Sequence, residues 1–257
     1  MLLKEKNIII AGGSSGIGLE AVNHFIEQGA NIVAIGKSSE ESLPHASTKL
    51  QWVFGDLRKE ETIQQGIKIC IEHYERIDGL LHVAGGSGRT FGDGPLHELT
   101  EEGWDKTFQL NATTTMLSNR AIINVMMHQH HAGAIVNISS VLASHPSAHF
   151  FSTHSYAASK AAIIGLSKSA AAYYADKNIR INVISPGLVD TPMASRAKTN
   201  EAIMDFIKTK QPLDGGRISL PKDIVGMAAF LLSDHSTFIT GQEILIDGGW
   251  SITDGQY

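Results

Sequence analysis

Short apolar runs alternate with longer amphipathic stretches along the whole chain. Asn7–Ala11, Ile32–Ile35, Trp52–Phe54, Leu80–Ala84, Ile135–Ile138, Ile181–Ile184 and Ile244–Ile246 are brief and almost continuously hydrophobic. That is the pattern of strands covered on both faces. Between them Leu19, Val22, Phe25 and Ile26 recur at helical spacing, and Gly29 stands where a glycine would end that helix. Ile63, Ile67, Cys70, Ile71 and Tyr74 repeat the spacing. Thr100 before Glu101 and Glu102 reads as a helix start, a hydroxyl cap followed by acids at the positive end of the dipole. Strand–helix alternation of this kind predicts an α/β doubly wound parallel sheet with helices on both faces. No repeat, low-complexity tract or linker interrupts it, so residues 1–257 read as one domain. Two stretches break the rhythm. Gly85–Pro95 is too glycine-rich for a regular element. The segment 187–216 follows a strand, carries a predicted helix at Glu201–Lys208, and sits where it can cover a ligand.

Composition narrows the function classes. A formal net charge of −5 argues against a nucleic-acid or anionic-membrane surface. Cys70 is the only cysteine, which excludes an intramolecular disulfide and suits a reducing cytoplasm. The opening MLLKEKNIIIAGG has too short an apolar run for a signal peptide, and no segment approaches the roughly 20 apolar residues of a membrane span.

Candidate chemistry begins where the first strand meets the first helix. Ala11-Gly12-Gly13-Ser14-Ser15-Gly16-Ile17-Gly18 is longer than the G-x-G-x-x-G dinucleotide turn, yet it offers the same physics. Glycines let backbone amides approach a phosphate, the helix N-terminus adds positive potential, and Ser14 and Ser15 add hydroxyl donors. The second strand ends in Gly36-Lys37-Ser38-Ser39, without the acid that binds the ribose 2′-hydroxyl in NAD sites. Lys37 and Ser38 could instead hold a 2′-phosphate, which predicts NADP(H); Glu40 and Glu41 follow closely enough to keep NAD(H) open.

Ser155-Tyr156-Ala157-Ala158-Ser159-Lys160 opens a long alanine-rich helical segment. At i and i+4, Lys160 shares a helix face with Tyr156. Its positive charge is expected to lower the phenol pKa and make Tyr156 a general acid/base for a carbonyl/alcohol pair. A Tyr-x-x-x-Lys spacing is common by itself and gains meaning only from partners. Ser139 and Ser140 end the preceding strand, where a side chain points into the ligand crevice. Asn111 is an amide in the middle of a predicted helix and needs a hydrogen-bonding reason to be there.

Taken together, these motifs resemble the classical short-chain dehydrogenase/reductase family over nearly the full length. The family's adenine-side aspartate matches Asp56, followed by Leu57; its post-strand motif matches Ala84-Gly85. Its active-site asparagine, serine, tyrosine and lysine match Asn111, Ser140, Tyr156 and Lys160. Its Pro-Gly segment appears as Pro186-Gly187-Leu188-Val189-Asp190-Thr191, and its C-terminal signatures as Ile239–Gln242 and Asp247–Gly249. The resemblance implies a Rossmann-type sheet of about seven strands. It also implies a nicotinamide cofactor held by the matched residues, a small carbonyl or alcohol substrate, and a homotetramer. In that scheme Ser140 binds the substrate oxygen, Lys160 holds the nicotinamide ribose, and Asn111 anchors a water that resupplies the proton.

The chain departs from the family in three places. Ala11 stands where threonine is frequent, His82-Val83 replaces the usual asparagine pair, and the stretch between Ser140 and Tyr156 is longer. That stretch carries His145, His149 and His154, which are expected to line the substrate site or pack the loop rather than bind metal. His128, His130 and His131 read as a solvated helix end, Cys70 as core, and Arg89 as either solvated or a grip for an acidic substrate. Two other functions fit less well. A sugar-nucleotide epimerase or dehydratase of the extended group needs a larger substrate domain than the residues after Pro186 can build. A non-catalytic dinucleotide sensor need not keep all four active-site positions.

Overall fold

The computed structural model describes residues 1–37, 43–129 and 131–255. The strands β1 (Asn7–Ala11), β2 (Asn31–Gly36), β3 (Leu50–Phe54), β4 (Gly79–His82), β5 (Gly133–Ile138), β6 (Ile179–Pro186) and β7 (Glu243–Ile246) form one sheet. All pairs are parallel, in the order β3-β2-β1-β4-β5-β6-β7. Period-2 alternation explains why both faces are apolar. Ile8, Ile10, Ile32, Ala34, Val136 and Ile184 face one layer. Ile9, Ala11, Val33, Ile35, Ile135 and Ile181 face the other.

Helices α1 (Gly16–Glu27) and α9 (Pro221–Leu232) cover the first face through Ala21, Val22, Phe25, Ile224, Val225 and Leu232. Helices α2 (Glu60–Tyr74), α4 (Thr114–Gln129) and α5 (His154–Tyr174) cover the second through Ile63, Ile67, Cys70, Ile122 and Ala171. Helix α3 (Glu101–Phe108) packs against α5, and the Thr100 hydroxyl accepts from Gly103 N at 2.9 Å, the cap expected from sequence. Most strand limits fall within a residue or two of the sequence reading. β4 is shorter, because the amides of Val83 and Ala84 both turn onto the Ala11 carbonyl at 2.8 and 2.9 Å.

Strand order reverses between β1 and β4, so the chain leaves these two strands in opposite directions and opens a crevice at their carboxyl ends. The insertion predicted at 187–216 roofs that end. It contains α6 (Ser195–Lys198), α7 (Glu201–Lys210), two residues longer than expected, and α8 (Leu213–Gly216), a single turn. A small third core of Val141, Ala197, Ile203, Ile207 and Trp250 fastens the roof to the stretch after β5. No described helix is long and apolar enough to cross a membrane.

Candidate active site

A cleft of about 720 Å³ runs along the carboxyl ends of the strands. Its lining includes Gly12, Ser14, Ser15, Gly16, Ile17, Lys37, Asp56, Leu57, Ala84, Gly85, Ser140, Tyr156, Lys160, Pro186, Gly187, Val189 and Thr191. Gly18 and Asn111 were also expected at the site and instead support it from behind. Ser38 lies outside the described residues, as do Ser39, Glu40, Glu41 and His130.

The glycine turn suits a phosphate. The first turn of α1 carries no acid, and Ser15 at its N-cap makes no side-chain capping bond, so positive potential and a hydroxyl face the cleft. Gly18 permits the tight approach of α1 to the turn, since a Cβ there would lie 1.9 Å from the Gly12 carbonyl oxygen. Around the tip of β2, Lys37 Nζ stands 3.2 Å from Asp56 Oδ2 and Arg58 binds the same carboxylate at 2.5 Å. Two cations against one anion hold Asp56 well below the usual carboxylate range and leave the corner net positive. Ser14 lies directly over Gly36. These residues fit an adenosine-bearing cofactor.

Asp93, a residue the sequence reading passed over, sets the reacting end. It belongs to the glycine-rich loop and is buried, and its two carboxylate oxygens accept from Ser155 N and Tyr156 N, both at 2.9 Å. α5 has no side-chain cap at Thr153, so Asp93 performs that task from another part of the chain and fixes the first turn, where Tyr156 sits. One turn on, Lys160 is buried and donates to the Ile138 carbonyl at 3.0 Å. Burial pulls its ammonium down to about 8. Its Nζ lies 5.7 Å from the Tyr156 ring centre.

Tyr156 differs from expectation in one respect. Enclosure of the phenol pushes its pKa up, with the Ser140 hydroxyl opposing it. The loss of hydration outweighs the Ser140 bond, while the Lys160 ammonium is committed to the Ile138 carbonyl. The two neighbouring serines separate cleanly. Ser139 Oγ donates to the Lys160 carbonyl at 2.8 Å, away from the cleft, whereas Ser140 faces the phenol.

Asn111 sits in a π-turn, Gln109–Thr113, between α3 and α4. Its amide donates to Gly86 O at 3.0 Å and Thr107 O at 2.9 Å, and its Oδ1 accepts from Gly86 N at 3.0 Å. The side chain therefore clamps the Gly85–Gly86 turn. A Cβ at Gly85 would fall 2.5 Å from that Oδ1 and 3.2 Å from Lys160 Nζ, so glycine is what lets asparagine and lysine close around the turn.

Gln211 was also missed. It is fully buried, and its Oε1 accepts from Leu188 N at 2.6 Å, pinning the Pro186–Thr191 segment. Asp247 accepts from Gly249 N and Ser251 N at 2.9 Å and shapes the turn that seats Trp250. His82 is buried, pushed down to about 3 by loss of hydration and by Lys160. Neither His145, His149 nor His154 lines the cleft; His145 instead packs the loop, its carbonyl accepting from Trp250 Nε1 at 2.9 Å. Among the described residues no cluster of histidine, cysteine and acids could hold a metal ion.

The chain is similar to known proteins over nearly its whole length. A family model described as Enoyl-(Acyl carrier protein) reductase matches residues 11–251. The chain is 33% identical over 255 residues to a 3-oxoacyl-[acyl-carrier-protein] reductase FabG of Chlamydia trachomatis, covering 96% of this chain and 98% of that one. It is 32% identical over 256 residues to dehydrogenase/reductase SDR family member 6 of Xenopus laevis, covering 97% and 99%. Among solved structures, a short-chain dehydrogenase of Leptospira borgpetersenii with bound NAD+ superposes with a TM-score of 0.86 at 27% identity, covering 97% of this chain and 94% of that one.

Proposed function

Because the chain belongs to the classical short-chain dehydrogenase/reductase family, and is thus an NAD(P)-dependent oxidoreductase of carbonyl/alcohol pairs, we propose that Tyr156 is its general acid/base. The observation that carries this reading is the packing of Ser140, Tyr156 and Lys160 around one point of the cleft, with Asp93 locking the turn that bears the phenol. A bound nicotinamide cofactor supplies hydride for reduction or accepts it in oxidation. Tyr156 donates its phenolic proton to the substrate carbonyl oxygen. Ser140 donates a hydrogen bond to the same oxygen and stabilises the charge that develops there. The upward push of burial keeps Tyr156 protonated at neutral pH, the form that reduction needs. Lys160 faces the ribose position and, while protonated, favours the phenolate left behind. Asn111 holds Gly85 and Gly86 against Lys160, and the second lone pair of its Oδ1 is free to anchor the water that resupplies the proton. A panel of carbonyl compounds with NADPH and NADH, followed by absorbance, tests the reading. Tight cofactor binding without turnover of any carbonyl would favour a sensor.

We further propose that NADP(H) is the preferred cofactor. The net positive corner of Lys37, Arg58 and Asp56, with Ser14 above Gly36, supports a 2′-phosphate there. Charge-assisted hydrogen bonds are worth about 1.5–3 kcal/mol, so Lys37→Ala should reduce the NADPH preference about 10- to 100-fold. Comparing kcat/KM for the two cofactors in both proteins decides the matter, and a clear NADH preference in the wild type would rule out a 2′-phosphate site at this corner.

The chain is also proposed to act as one domain and to assemble as a homotetramer in the cytoplasm. Phe238, Leu245 and Ile252 are exposed around the edge strand β7, and Tyr173 is exposed on α5, where apolar surface would be covered by other copies. Light scattering at micromolar concentration should give four times the 27.7 kDa chain mass, and a monomer mass would overturn this.

A further inference from the structure

Two guanidinium groups meet at the mouth of the cleft without a carboxylate between them. Arg89, in the glycine-rich loop, and Arg196, on α6, both line the cleft. Arg196 Nη2 donates to the carbonyl oxygen of Phe150 at 3.1 Å, and Arg89 Nη2 reaches the same oxygen at 3.5 Å. Among the described residues neither arginine has an acid within ion-pair distance. Lys198, two residues from Arg196 on α6, does: it pairs with Asp190 at 2.6 Å. Arg89 is half-buried, and its proton is held less tightly through burial and the nearby positive charge of Arg196. Leaving two like charges together, one partly desolvated and sharing a single neutral acceptor, is unfavourable unless an anion joins them.

We propose that Arg89 and Arg196 form the binding site for a substrate carboxylate, making the physiological substrate an oxo acid or hydroxy acid. This rests on the assignment of the reaction to the same cleft. A planar carboxylate presents two oxygens, one for each guanidinium, and so suits two arginines that converge on one point. The Phe150 carbonyl occupies the point where the two groups converge, and a carboxylate that displaces it would add the attraction of opposite charges to the hydrogen bonds it accepts. The three segments that meet here are the glycine loop, the long stretch after β5 and the 187–216 roof, so a bound acid would also tie the roof to the cleft floor.

The test pairs C4–C8 oxo acids with their methyl esters, in the presence of NADPH or NADH. The wild type should use an acid with kcat/KM at least 30-fold above its ester. In Arg89→Gln and in Arg196→Gln that ratio should fall at least tenfold, chiefly through KM. A second measurement reads binding alone: the thermal shift of the cofactor-loaded protein with C4–C8 carboxylates against the matching amides. The carboxylate should stabilise the wild type, and Arg196→Gln should abolish the difference from the amide. Turnover of esters as good as that of acids overturns the carboxylate site while leaving the Tyr156 reading intact. Carboxylate-selective stabilisation without turnover of any carbonyl supports the site and sinks the catalytic reading. No selectivity in either measurement overturns the proposal.

Discussion

Replacing Tyr156 with phenylalanine should lower kcat about 10²- to 10⁴-fold, the usual value of a positioned acid–base group. The substitution removes one hydroxyl and leaves the ring, so the α5 turn held by Asp93 and the shape of the cleft are retained. Cofactor affinity, followed by quenching of protein fluorescence, should change little, and the melting temperature should stay within a few degrees. Lys160→Ala is the contrasting variant. It removes an ammonium that lines the cleft and bonds the Ile138 carbonyl, so it should weaken cofactor binding as well as turnover. Near-normal turnover of a confirmed substrate by Tyr156→Phe would remove the phenol from the mechanism. The histidines then gain nothing, since His149 and His154 are exposed and stand outside the cleft lining.

The second large effect is on stability. Asp93→Ala deprives two amides at the start of α5 of a buried, charged acceptor. Single caps are worth about 1 kcal/mol, and hydrogen bonds to charged groups about 1.5–3 kcal/mol. A combined loss of about 2–4 kcal/mol is therefore expected in urea unfolding, within the 5–15 kcal/mol typical of a domain. Turnover should fall too, because Tyr156 supplies one of those amides. Asp93→Asn keeps one acceptor and should fall between. A loss below about 0.5 kcal/mol for the alanine variant would mean that water or another side chain caps α5.

Local rules carried most of the fold and part of the site. Both-face burial writes each strand as an apolar run, so all seven strands could be read from sequence. The i, i+4 placement of Tyr156 and Lys160 is also a local fact, and on α5 the Lys160 Nζ lies 5.7 Å from the Tyr156 ring centre. Asp93 and Gln211 could not be found this way. Their partners are main-chain amides, 62 and 63 residues away in sequence for Asp93 and 23 for Gln211, brought near only when the sheet is assembled. The end of β4 was invisible for a related reason. Whether Val83 and Ala84 continue the strand depends on the Ala11 carbonyl of a neighbouring strand. The upward shift of Tyr156 depends on enclosure, a property of the packed cleft rather than of the Tyr-Lys spacing.

Cys70, buried on α2, has a practical consequence. Loss of hydration, with Asp78 adding to it, pushes its thiol up to about 12, so almost no thiolate forms at neutral pH. Maleimides and disulfide reagents should leave the native protein untouched, although it carries a cysteine. The chain thus offers a silent background for site-specific labelling without first being stripped of its own sulfhydryl. A single cysteine placed at the exposed Met193, beside α6, would take a fluorophore at one position. The emission of that dye would follow the roof as ligands enter and leave.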